Sequence, residues 1–397
     1  MGTMWKSFSA RALAVAMAAA AVAGCQTAPV KPTYPLILVT GSYPEFSDDM
    51  DAASMDAAAA RSLEYLAKID PATSFSFGPR KVSAMQLAAS VRRLAEIYRA
   101  EPDAARRAMM IKKEFEVYAG TGTTEGGNAL ITGYYQPELK VRREKTDLFR
   151  YPVYRTPDDL VRVDLGTFSQ KYGGERITGK VKDGKLIPYD NREAIDGAGA
   201  LAGRGLEIAW SDNPFDVFML HVQGSGILAF EDGQRVFANY DAANGREYRS
   251  VGKMLIEEGK VPAEKMSVPA LRKWFAEHPG DLERILHQNP SYVFFRVMDD
   301  GPYGALGGKL VDGRSAAFDH SLFPKGAAAW FSAGIPLSQG GQPAGIRKTG
   351  RFVFNHDQGG AIKGAGRMDL FFGAGPDAEA SAGIMKHPGM LYFLVLK

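Results

Sequence analysis

The chain has 397 residues, of which 45% are hydrophobic and 23% are charged, and its formal net charge is +3. These values are typical of a globular protein with room for two domains, and they exclude a largely disordered chain. The small positive charge, without a stripe of cations and stacking aromatic residues, argues against a nucleic-acid-binding protein.

The N-terminal segment has the pattern of a secretory signal peptide. Lys6 and Arg11 precede an apolar run over residues 12–23, which is shorter than the ~20 residues that span a bilayer. The run ends at Val22-Ala-Gly-Cys25, which resembles the lipobox of bacterial lipoproteins, and Cys25 is the only cysteine. We predict a signal peptide over 1–24, lipidation at Cys25 and a tether over 25–51 with a strand near 36–39. The alternative is a free thiol in an ordinary signal peptide.

Two helical patterns and a strand follow the predicted tether. Apolar residues recur at 59, 63 and 66, and Ser83 can cap a second helix. Residues 129–137 predict a strand that puts Tyr134 and Tyr135 on opposite faces. Either one tyrosine is displayed for stacking on a sugar while the other packs, or both lie in a core.

The middle of the chain predicts a small β domain, because residues 140–235 lack helical periodicity. Its clearest strand is predicted over 215–227, where alternation gives His221, Gln223 and Ser225 a shared polar face. Helices are predicted over 252–258, 267–278 and 281–288, with Ser267 and Asp281 as caps. Strands resume at 292 and continue to the C-terminus.

Three aspartates, Asp357, Asp369 and Asp377, lie in a glycine-rich stretch near the C-terminus. Alternation over 367–372 predicts a strand that carries Arg367 and Asp369 on one face. Apolar neighbours would raise the pKa of Asp369, whereas Arg367 would lower it. A protonated Asp369 could then donate a proton to a glycosidic oxygen. The alternative is that these are structural aspartates in turns.

Metal and nucleotide sites are poorly supported by the sequence. The pairs Asp319-His320 and His356-Asp357 lack metal-ligand spacing and read as ordinary polar loop residues. Residues 359–364 lack the glycine spacing and the Ser or Thr of a P-loop. We therefore predict no metal and no other cofactor.

Six sequence blocks occur in a fixed order. They are Thr132-Gly-Tyr-Tyr-Gln-Pro137, His221-Val-Gln-Gly-Ser-Gly226, Tyr248-Arg-Ser-Val-Gly-Lys253, Asn289-Pro-Ser-Tyr-Val-Phe-Phe295, Gly313-Arg-Ser315 and the three-aspartate stretch over 357–377. In this order they resemble the blocks of the membrane-bound lytic murein transglycosylase A family, and the resemblance covers residues 80–397. The lipobox is consistent with that family.

The resemblance implies a mainly β (α+β) fold with flanking helices. A six-stranded double-psi β-barrel, the three-aspartate (3D) domain, would be formed by residues 52–137 and 297–397. A second, β-rich domain over 138–296 would be inserted between these halves. The substrate groove would lie where the two domains meet.

The resemblance also implies a peptidoglycan lytic exotransglycosylase. Such an enzyme cleaves the β-1,4 bond between N-acetylmuramic acid and N-acetylglucosamine without water and leaves a 1,6-anhydro end. Asp369 would be the single acid and base, and Asp357 and Asp377 would support it. From their positions we predict substrate contacts at Tyr134, Tyr135, His221, Gln223, Ser225, Lys363 and Arg367. The alternatives are a glycoside hydrolase on the same barrel and a peptidoglycan-binding lipoprotein without turnover.

The implied location is the periplasm, with the protein held at the outer membrane by the lipid anchor, because Gln26 rather than Asp follows Cys25. The expected partners are peptidoglycan glycan strands, the outer membrane and cell-wall synthases. The expected process is cell-wall turnover and remodelling.

Overall fold

The computed structural model describes residues 33–123 and 126–397, and residues 34–397 form one compact unit. The predicted signal peptide, the lipidation site at Cys25 and the first part of the predicted tether lie outside the described residues. None of the helices in the described part combines the length and hydrophobicity that crossing a bilayer requires.

Strands outnumber helices among the described residues. The strands are β1 (Leu36–Leu38), β2 (Ser74–Phe77), β3 (Arg80–Ser83), β4 (Phe115–Gly120), β5 (Ala129–Gln136), β6 (Glu138–Arg142), β7 (Tyr151–Tyr154), β8 (Val161–Asp164), β9 (Arg176–Lys182), β10 (Lys185–Pro188), β11 (Glu207–Ser211), β12 (Ser225–Phe230), β13 (Arg235–Ala243), β14 (Val293–Met298), β15 (Ser315–Ala317), β16 (Ala328–Gln339), β17 (Gln342–Asp357), β18 (Arg367–Ala374) and β19 (Lys386–Leu396). The helices are α1 (Ala52–Leu66), α2 (Ala84–Ala100), α3 (Ala104–Glu114), α4 (Pro214–Gln223), α5 (Val251–Glu257), α6 (Val268–Glu277), α7 (Leu282–His287) and α8 (Pro376–Ile384).

Six strands close into a barrel. Their order is β19, β16, β17, β15, β18 and β5, and the ring is completed because β5 also pairs with β19. β4 adds to the ring by pairing with β19, and β1 pairs with β4. The core contains Ile131, Phe354, Met368 and Leu370, all fully buried. The predicted six-stranded barrel is confirmed, and closure leaves its strands without a free edge along the paired segments.

Helices flank the barrel as predicted. α1 buries Met55, Ala59 and Leu66, and α2 begins with a capping box in which Ser83 and Gln86 satisfy each other's backbone N–H groups. The predicted strand near 36–39 is present as β1. The later part of the predicted tether is folded, since Phe46 packs between the rings of Trp330 and Phe352.

A second sheet dominates the predicted insert, residues 138–296. Its strand order is β14, β13, β12, β6, β11 and β7, and β12 pairs with β6 in parallel. A small sheet of β10, β9 and β8 stands beside it. The three predicted helices are present as α5, α6 and α7, and Ser267 caps α6. The prediction that Asp281 caps α7 is wrong, because its side chain makes no capping hydrogen bond.

The strand predicted over 215–227 is wrong. Its first part is helix α4, and only β12 is extended. Asn213 caps the helix, Pro214 is its first residue, and Gly224 ends it in the left-handed conformation at φ 80°. Because nearly every side chain from Phe215 to His221 is buried, the helix shows no polar stripe, and its sequence fits the period of a strand as well as that of a helix.

The insert helices pack on α8 of the barrel through an apolar cluster. The cluster joins Tyr135, Phe215 and Met219 with Ala378 and Ala382. Beside it, Arg272 of α6 donates to Asp216 of α4 at 2.7 Å and to Glu379 of α8 at 2.8 Å. These contacts fix the insert relative to the barrel strand β5 and the barrel helix α8.

A fully buried ion pair fastens the N-terminal segment to the barrel. Arg314 Nη1 lies 2.6 Å from Asp48 Oδ2, and neither side chain is exposed. Arg314 also donates to the Phe352 carbonyl and to Ser54 Oγ, so its charge is surrounded by acceptors.

We expect Asp48→Ala to lower the free energy of unfolding by about 3–5 kcal/mol, since removing one partner leaves a buried charge unpaired. Urea unfolding at neutral pH measures the difference. Asp56→Ala, which removes the exposed pair with Arg99, is the control and should cost at most about 1 kcal/mol. Equal effects of the two substitutions would contradict this account of the N-terminal segment.

Candidate active site

The strand register of the barrel places four side chains in one row. Asp369 of β18 lies beside Thr132 of β5 and beside Ala317 of β15, and Ala317 lies beside Asp357 of β17. Registered neighbours on adjacent strands point to the same face. Met368 therefore points into the barrel core, whereas Asp369 points out of it.

An irregularity in β17 brings Asp357 into this row. The register between β15 and β17 shifts by one residue, so that Ala316 pairs with Asn355 and Ala317 pairs with Asp357. The intervening His356 turns inward, where its ring nitrogens contact Ser62 and Ser315. Such irregularities re-aim side chains and are frequent beside active sites.

Asp369 is a partly buried carboxyl group with one oxygen engaged. Its Oδ1 accepts from Thr132 Oγ1 at 2.7 Å, and Arg367 Nη2 lies 3.4 Å from the same hydroxyl. The other oxygen, Oδ2, accepts no hydrogen bond from the described residues. Burial raises the pKa of Asp369 to about 6, although Thr132 and Arg367 act to lower it and Asp357 adds to the rise. The group can therefore hold a proton near neutral pH and also release it.

Both carboxylate oxygens of Asp357 accept hydrogen bonds, in contrast to those of Asp369. Its Oδ1 accepts from the backbone N–H groups of Ala305 and Gln358, each at 2.9 Å, and its Oδ2 accepts from the Tyr134 hydroxyl at 3.0 Å. Burial raises the pKa of Asp357, and these hydrogen bonds oppose the rise. The side chain is thus held in place, and its oxygens are occupied.

The two adjacent tyrosines have different surroundings. Tyr134 is partly buried beside the row of site residues, with its ring 5.1 Å from that of Phe371. Burial and the nearby Asp357 raise the pKa of Tyr134 well above its usual value, so its hydroxyl stays a donor. Tyr135 points the other way and is buried in the apolar cluster beside α8. Of the pair, Tyr134 is the one that borders the site.

Asp377 lies in a different part of the molecule from the row. It is exposed in the first turn of α8, and its Oδ1 accepts from the Gly341 N–H at 2.6 Å. Ser338 donates to its backbone carbonyl. Its contacts therefore hold the hairpin turn between β16 and β17, and it makes no hydrogen bond or ion pair with Asp369 in the described part of the chain.

Asp319 is a further aspartate beside the site, because it contacts the loop over 358–366. The sequence patterns did not predict this role. Its Oδ2 accepts from the Gly364 N–H at 2.9 Å, and its Oδ1 accepts from Ser321. Although burial acts to raise it, the hydrogen bonds from Ser321 and Gly364 hold the pKa of Asp319 below its usual range. Asp319 thereby anchors the loop that joins Asp357 to β18. The pair Asp319-His320 was visible in the sequence, but only as a weak metal motif.

The polar face predicted for His221, Gln223 and Ser225 does not exist, because the first two belong to α4. His221 is buried against the rings of Tyr292 and Phe295, and its Nδ1 is 2.9 Å from Arg192 Nη2. Burial and Arg192 lower its pKa well below the usual value.

Gln223 ends α4 and reaches the site strand. Its Oε1 accepts from the Tyr135 N–H at 3.0 Å, so α4 contacts β5 directly behind Tyr134. Ser225 is partly exposed at the start of β12, where it pairs with Asn239.

Two of the residues predicted to contact the substrate lie on or beside the loop over 358–366. Lys363 is exposed there, and Arg367 follows the loop at the start of β18. The described residues contain no group of three or more His, Cys, Asp or Glu side chains that could hold a metal ion. His320 and His356 are instead hydrogen-bonded to Asn355, Ser62 and Ser315.

Two family models match the chain. The one described as the MltA specific insert domain matches residues 130–296, and the one described as the 3D domain matches residues 314–395. Membrane-bound lytic murein transglycosylase A of Escherichia coli (strain K12) is 35% identical over 276 residues, which are 69% of this chain and 67% of that protein. The corresponding protein of Vibrio cholerae serotype O1 is 34% identical over 280 residues, which are 70% and 68% of the two chains.

Solved structures agree with these relatives. A membrane-bound lytic murein transglycosylase from Agrobacterium tumefaciens superposes with a TM-score of 0.71 at 30% identity, covering 87% of this chain and 93% of that chain. E. coli MltA with bound chitohexaose superposes with a TM-score of 0.68 at 29% identity, covering 94% of this chain and 98% of that chain.

Removing the hydroxyl that contacts Asp369 should raise the pKa of that group. In Thr132→Val we expect the pKa of Asp369 to rise above about 6 and its acid dissociation constant to fall at least about tenfold, because a hydrogen bond to a charged group contributes roughly 1.5–3 kcal/mol and about 1.4 kcal/mol is a tenfold change. A carboxyl ¹³C NMR titration, assigned with Asp369→Asn, measures it. Thr349→Val, whose hydroxyl contacts only the Gly350 carbonyl, should leave it at about 6. A value that stays or falls in Thr132→Val would contradict the assigned contact.

The anchoring by Asp319 can be tested at a single amide. In Asp319→Ala, hydrogen exchange at Gly364 should become about tenfold faster, since its N–H loses a hydrogen bond to a charged acceptor. Asp377→Ala is the matched control and should accelerate exchange at Gly341 but not at Gly364. Unchanged exchange at Gly364 in Asp319→Ala would show that the loop is held by other contacts.

Proposed function

The chain belongs to the membrane-bound lytic murein transglycosylase A family, and we propose that Asp369 is its single catalytic acid and base. The protein is a lytic transglycosylase that cleaves peptidoglycan glycan strands at the bond between N-acetylmuramic acid and N-acetylglucosamine. The cleavage is non-hydrolytic and leaves 1,6-anhydro ends. The observation that carries the proposal for Asp369 is its raised pKa of about 6 together with its free oxygen Oδ2.

The proposed reaction needs one carboxyl group in two successive roles. Protonated Asp369 gives its proton to the glycosidic oxygen while the bond from that oxygen to C1 of the muramyl residue breaks. The O6 hydroxyl of the same residue then bonds to C1, and the Asp369 carboxylate takes the O6 proton. Asp369 ends the cycle protonated, and no water is consumed. A pKa near the working pH suits both proton transfers, and the intramolecular nucleophile is already in position.

The hydrogen bonds of Asp357 argue against the hydrolase alternative. A hydrolase of the common type needs a second carboxylate that acts as a base or a nucleophile. Asp357 lies two strands from Asp369, and its oxygens already accept from Tyr134, Ala305 and Gln358. We propose that Asp357 instead orients Tyr134 and keeps the row of site residues in place. Through their electrostatic interaction it also disfavours the charged form of Asp369.

The glycan strand is proposed to lie along the outer barrel face, in the groove between the barrel and the insert. The support is the outward direction of Asp369, the contact of Gln223 with β5, and chitohexaose bound to the related E. coli protein. Tyr134, Arg367 and Lys363 border this face, with Ser225 farther along the insert. The burial of His221 against Tyr292 and Phe295, and of Tyr135 in the apolar cluster beside α8, favours a supporting role for both over direct substrate contact.

We propose a barrel domain of residues 52–137 and 297–397, with an inserted domain over 138–296; the family-model match over 130–296 supports the insert. We also propose cleavage before Cys25, a lipid anchor in the outer membrane and a periplasmic location. The relatives are membrane-bound by name. Cell-wall synthases are the proposed protein partners.

Replacing the catalytic carboxyl separates an enzyme from a binding protein. We expect Asp369→Asn to release anhydro-muropeptides from purified sacculi at least about 100-fold more slowly, because an amide cannot supply the proton. Binding to sacculi should remain. Mass spectrometry of the released products and cosedimentation with sacculi measure the two properties.

Asp377→Asn is the matched control, since its carboxylate contacts only the hairpin turn, and it should keep activity within about threefold of the wild type. If the wild-type protein binds sacculi but releases nothing, the chain is a binding lipoprotein. If Asp369→Asn retains full activity, the acid lies elsewhere.

A further inference from the structure

A lysine extends the row of site residues beyond Thr132. The strand register pairs Lys386 of β19 with Thr132 of β5, and Thr132 in turn lies beside Asp369 of β18. The alternation of β19 agrees with this direction, because Leu391 and Phe393 are buried in the barrel core whereas Lys386 is exposed. Lys386 therefore points out of the barrel on the same face as Asp369, two strands away from it.

The spacing of the strands brings the lysine within reach of a ligand at Asp369. Adjacent strands lie about 4.8 Å apart, so the Cα atoms of Lys386 and Asp369 are roughly 10 Å apart. The ammonium group of a lysine stands on a flexible stem of four carbons. It can reach over Thr132 to a substituent of a sugar residue whose C1 lies in front of Asp369.

The charge of Lys386 has no counter-ion in the described part of the chain. Lys386 forms no ion pair and no hydrogen bond there, and neither does the neighbouring Arg367 have an acidic partner. The Nε of Arg367 is buried without a hydrogen-bond partner, and its Nη2 is directed at Thr132. Asp369 is neutral when it is ready to donate its proton. Two uncompensated cations beside a neutral acid favour a ligand that carries negative charge.

Of these two cations, Lys386 is the one that is free to bind such a ligand. Arg367 belongs to the surroundings of the acid, since it is partly buried, contacts Thr132 and acts to lower the pKa of Asp369. Lys386 is exposed and contacts neither Thr132 nor Asp369. Its ammonium group is therefore available to the groove.

We propose that Lys386 binds a carboxylate on the lactyl substituent of the muramyl residue that is cleaved. This inference rests on the proposed function, which places C1 of that residue in front of Asp369. N-acetylmuramic acid differs from N-acetylglucosamine by a lactyl ether at O3. The carboxylate belongs to the lactyl group itself in peptide-free strands, and to the attached stem peptide where the lactyl group is amidated.

The contact gives the groove a preference for peptidoglycan over a neutral glycan. Chitohexaose, which is bound to the related E. coli protein, consists of N-acetylglucosamine and has no carboxylate. A charge-assisted contact between ammonium and carboxylate is stronger than a neutral hydrogen bond. Because Lys386 would touch the substituent and not the reacting atoms, it is a specificity-determining residue and not a catalytic one.

Calorimetric titration of the Asp369→Asn protein tests the proposal. We expect this protein to bind a peptide-free hexasaccharide of alternating N-acetylglucosamine and N-acetylmuramic acid at least about tenfold more tightly than chitohexaose. Adding Lys386→Met, which keeps the aliphatic stem and removes the charge, should weaken binding of the muramyl ligand about tenfold and leave chitohexaose unaffected. Lys386→Arg should retain most of the preference, since the charge is kept.

Lys113→Met is the matched control, because it removes another exposed lysine. Lys113 lies at the end of α3, and the following residues pair with the far end of β19, roughly 30 Å from Lys386 along the strand. It should bind both ligands as the parent does. A muramyl hexasaccharide with stem peptides identifies the carboxylate: dependence on Lys386 in the peptide-free ligand assigns the lactyl group, and dependence only in the peptide-bearing ligand assigns the peptide.

Three outcomes would overturn the proposal. They are equal affinity of the parent for the muramyl ligand and chitohexaose, an unchanged preference in Lys386→Met, and an equal loss of affinity for both ligands in that variant. Mass spectrometry of the recovered hexasaccharide separates this test from that of the acid. If the Asp369→Asn protein has cleaved it, the proposed role of Asp369 fails. The titration is then repeated with the disaccharide N-acetylglucosaminyl-N-acetylmuramic acid against chitobiose, since neither contains the cleavable bond, and the same preference is expected.

Discussion

The site depends on the strand register across β5, β18, β15 and β17. This register alone sets Asp369 beside Thr132 and keeps the small Ala317 between the two aspartates. The barrel core requires Met368 and Leu370 to point inward, and a strand alternates its side chains. Asp369 must therefore point outward into the crowded row. Burial there raises its pKa to about 6, and this is the property on which the proposed chemistry depends.

Because the pKa of Asp369 is raised in the folded state, ionisation of this group lowers the free energy of unfolding as the pH rises. In the unfolded chain the group ionises near its ordinary value of 3.8, whereas in the folded protein it ionises at about 6. Between these values the folded state binds more protons than the unfolded state, so stability falls as the pH rises through this window. The loss is complete above about pH 6. A site that holds a destabilised carboxylate in this way is a common compromise between function and stability.

Local sequence patterns predicted the elements whose side chains alternate between two environments. β18 could be found because Met368 and Leu370 face the core while Asp369 does not, and α2 could be found from Ser83 and its apolar stripe. Helix α4 could not be found in this way, because it is buried on nearly all sides and its apolar residues fit both the helical and the strand period. The Asn213-Pro214 start and the Gly224 end were the signals that would have identified it.

Contacts between residues far apart in the sequence could not be predicted from any local sequence pattern. Asp319 reaches Gly364 across 45 residues, and Arg314 reaches Asp48 across 266. The closed barrel and the proposed role of Asp369 could be predicted only from the ordered resemblance to a family. The alternation over 367–372 independently selected the same carboxyl group. The link from Gln223 through β5 to Tyr134 and Asp357 is visible only in three dimensions, and it connects the insert to the proposed catalytic row.

Digestion of purified sacculi in H₂¹⁸O tests the central claim most directly. If Asp369 serves as both acid and base while the muramyl O6 attacks C1, mass spectrometry will find 1,6-anhydro ends that carry no ¹⁸O. Each product will be lighter than the hydrolysis product by one water. Reducing ends that contain one ¹⁸O atom would show that water is the nucleophile, and they would contradict the single-carboxyl account of this site.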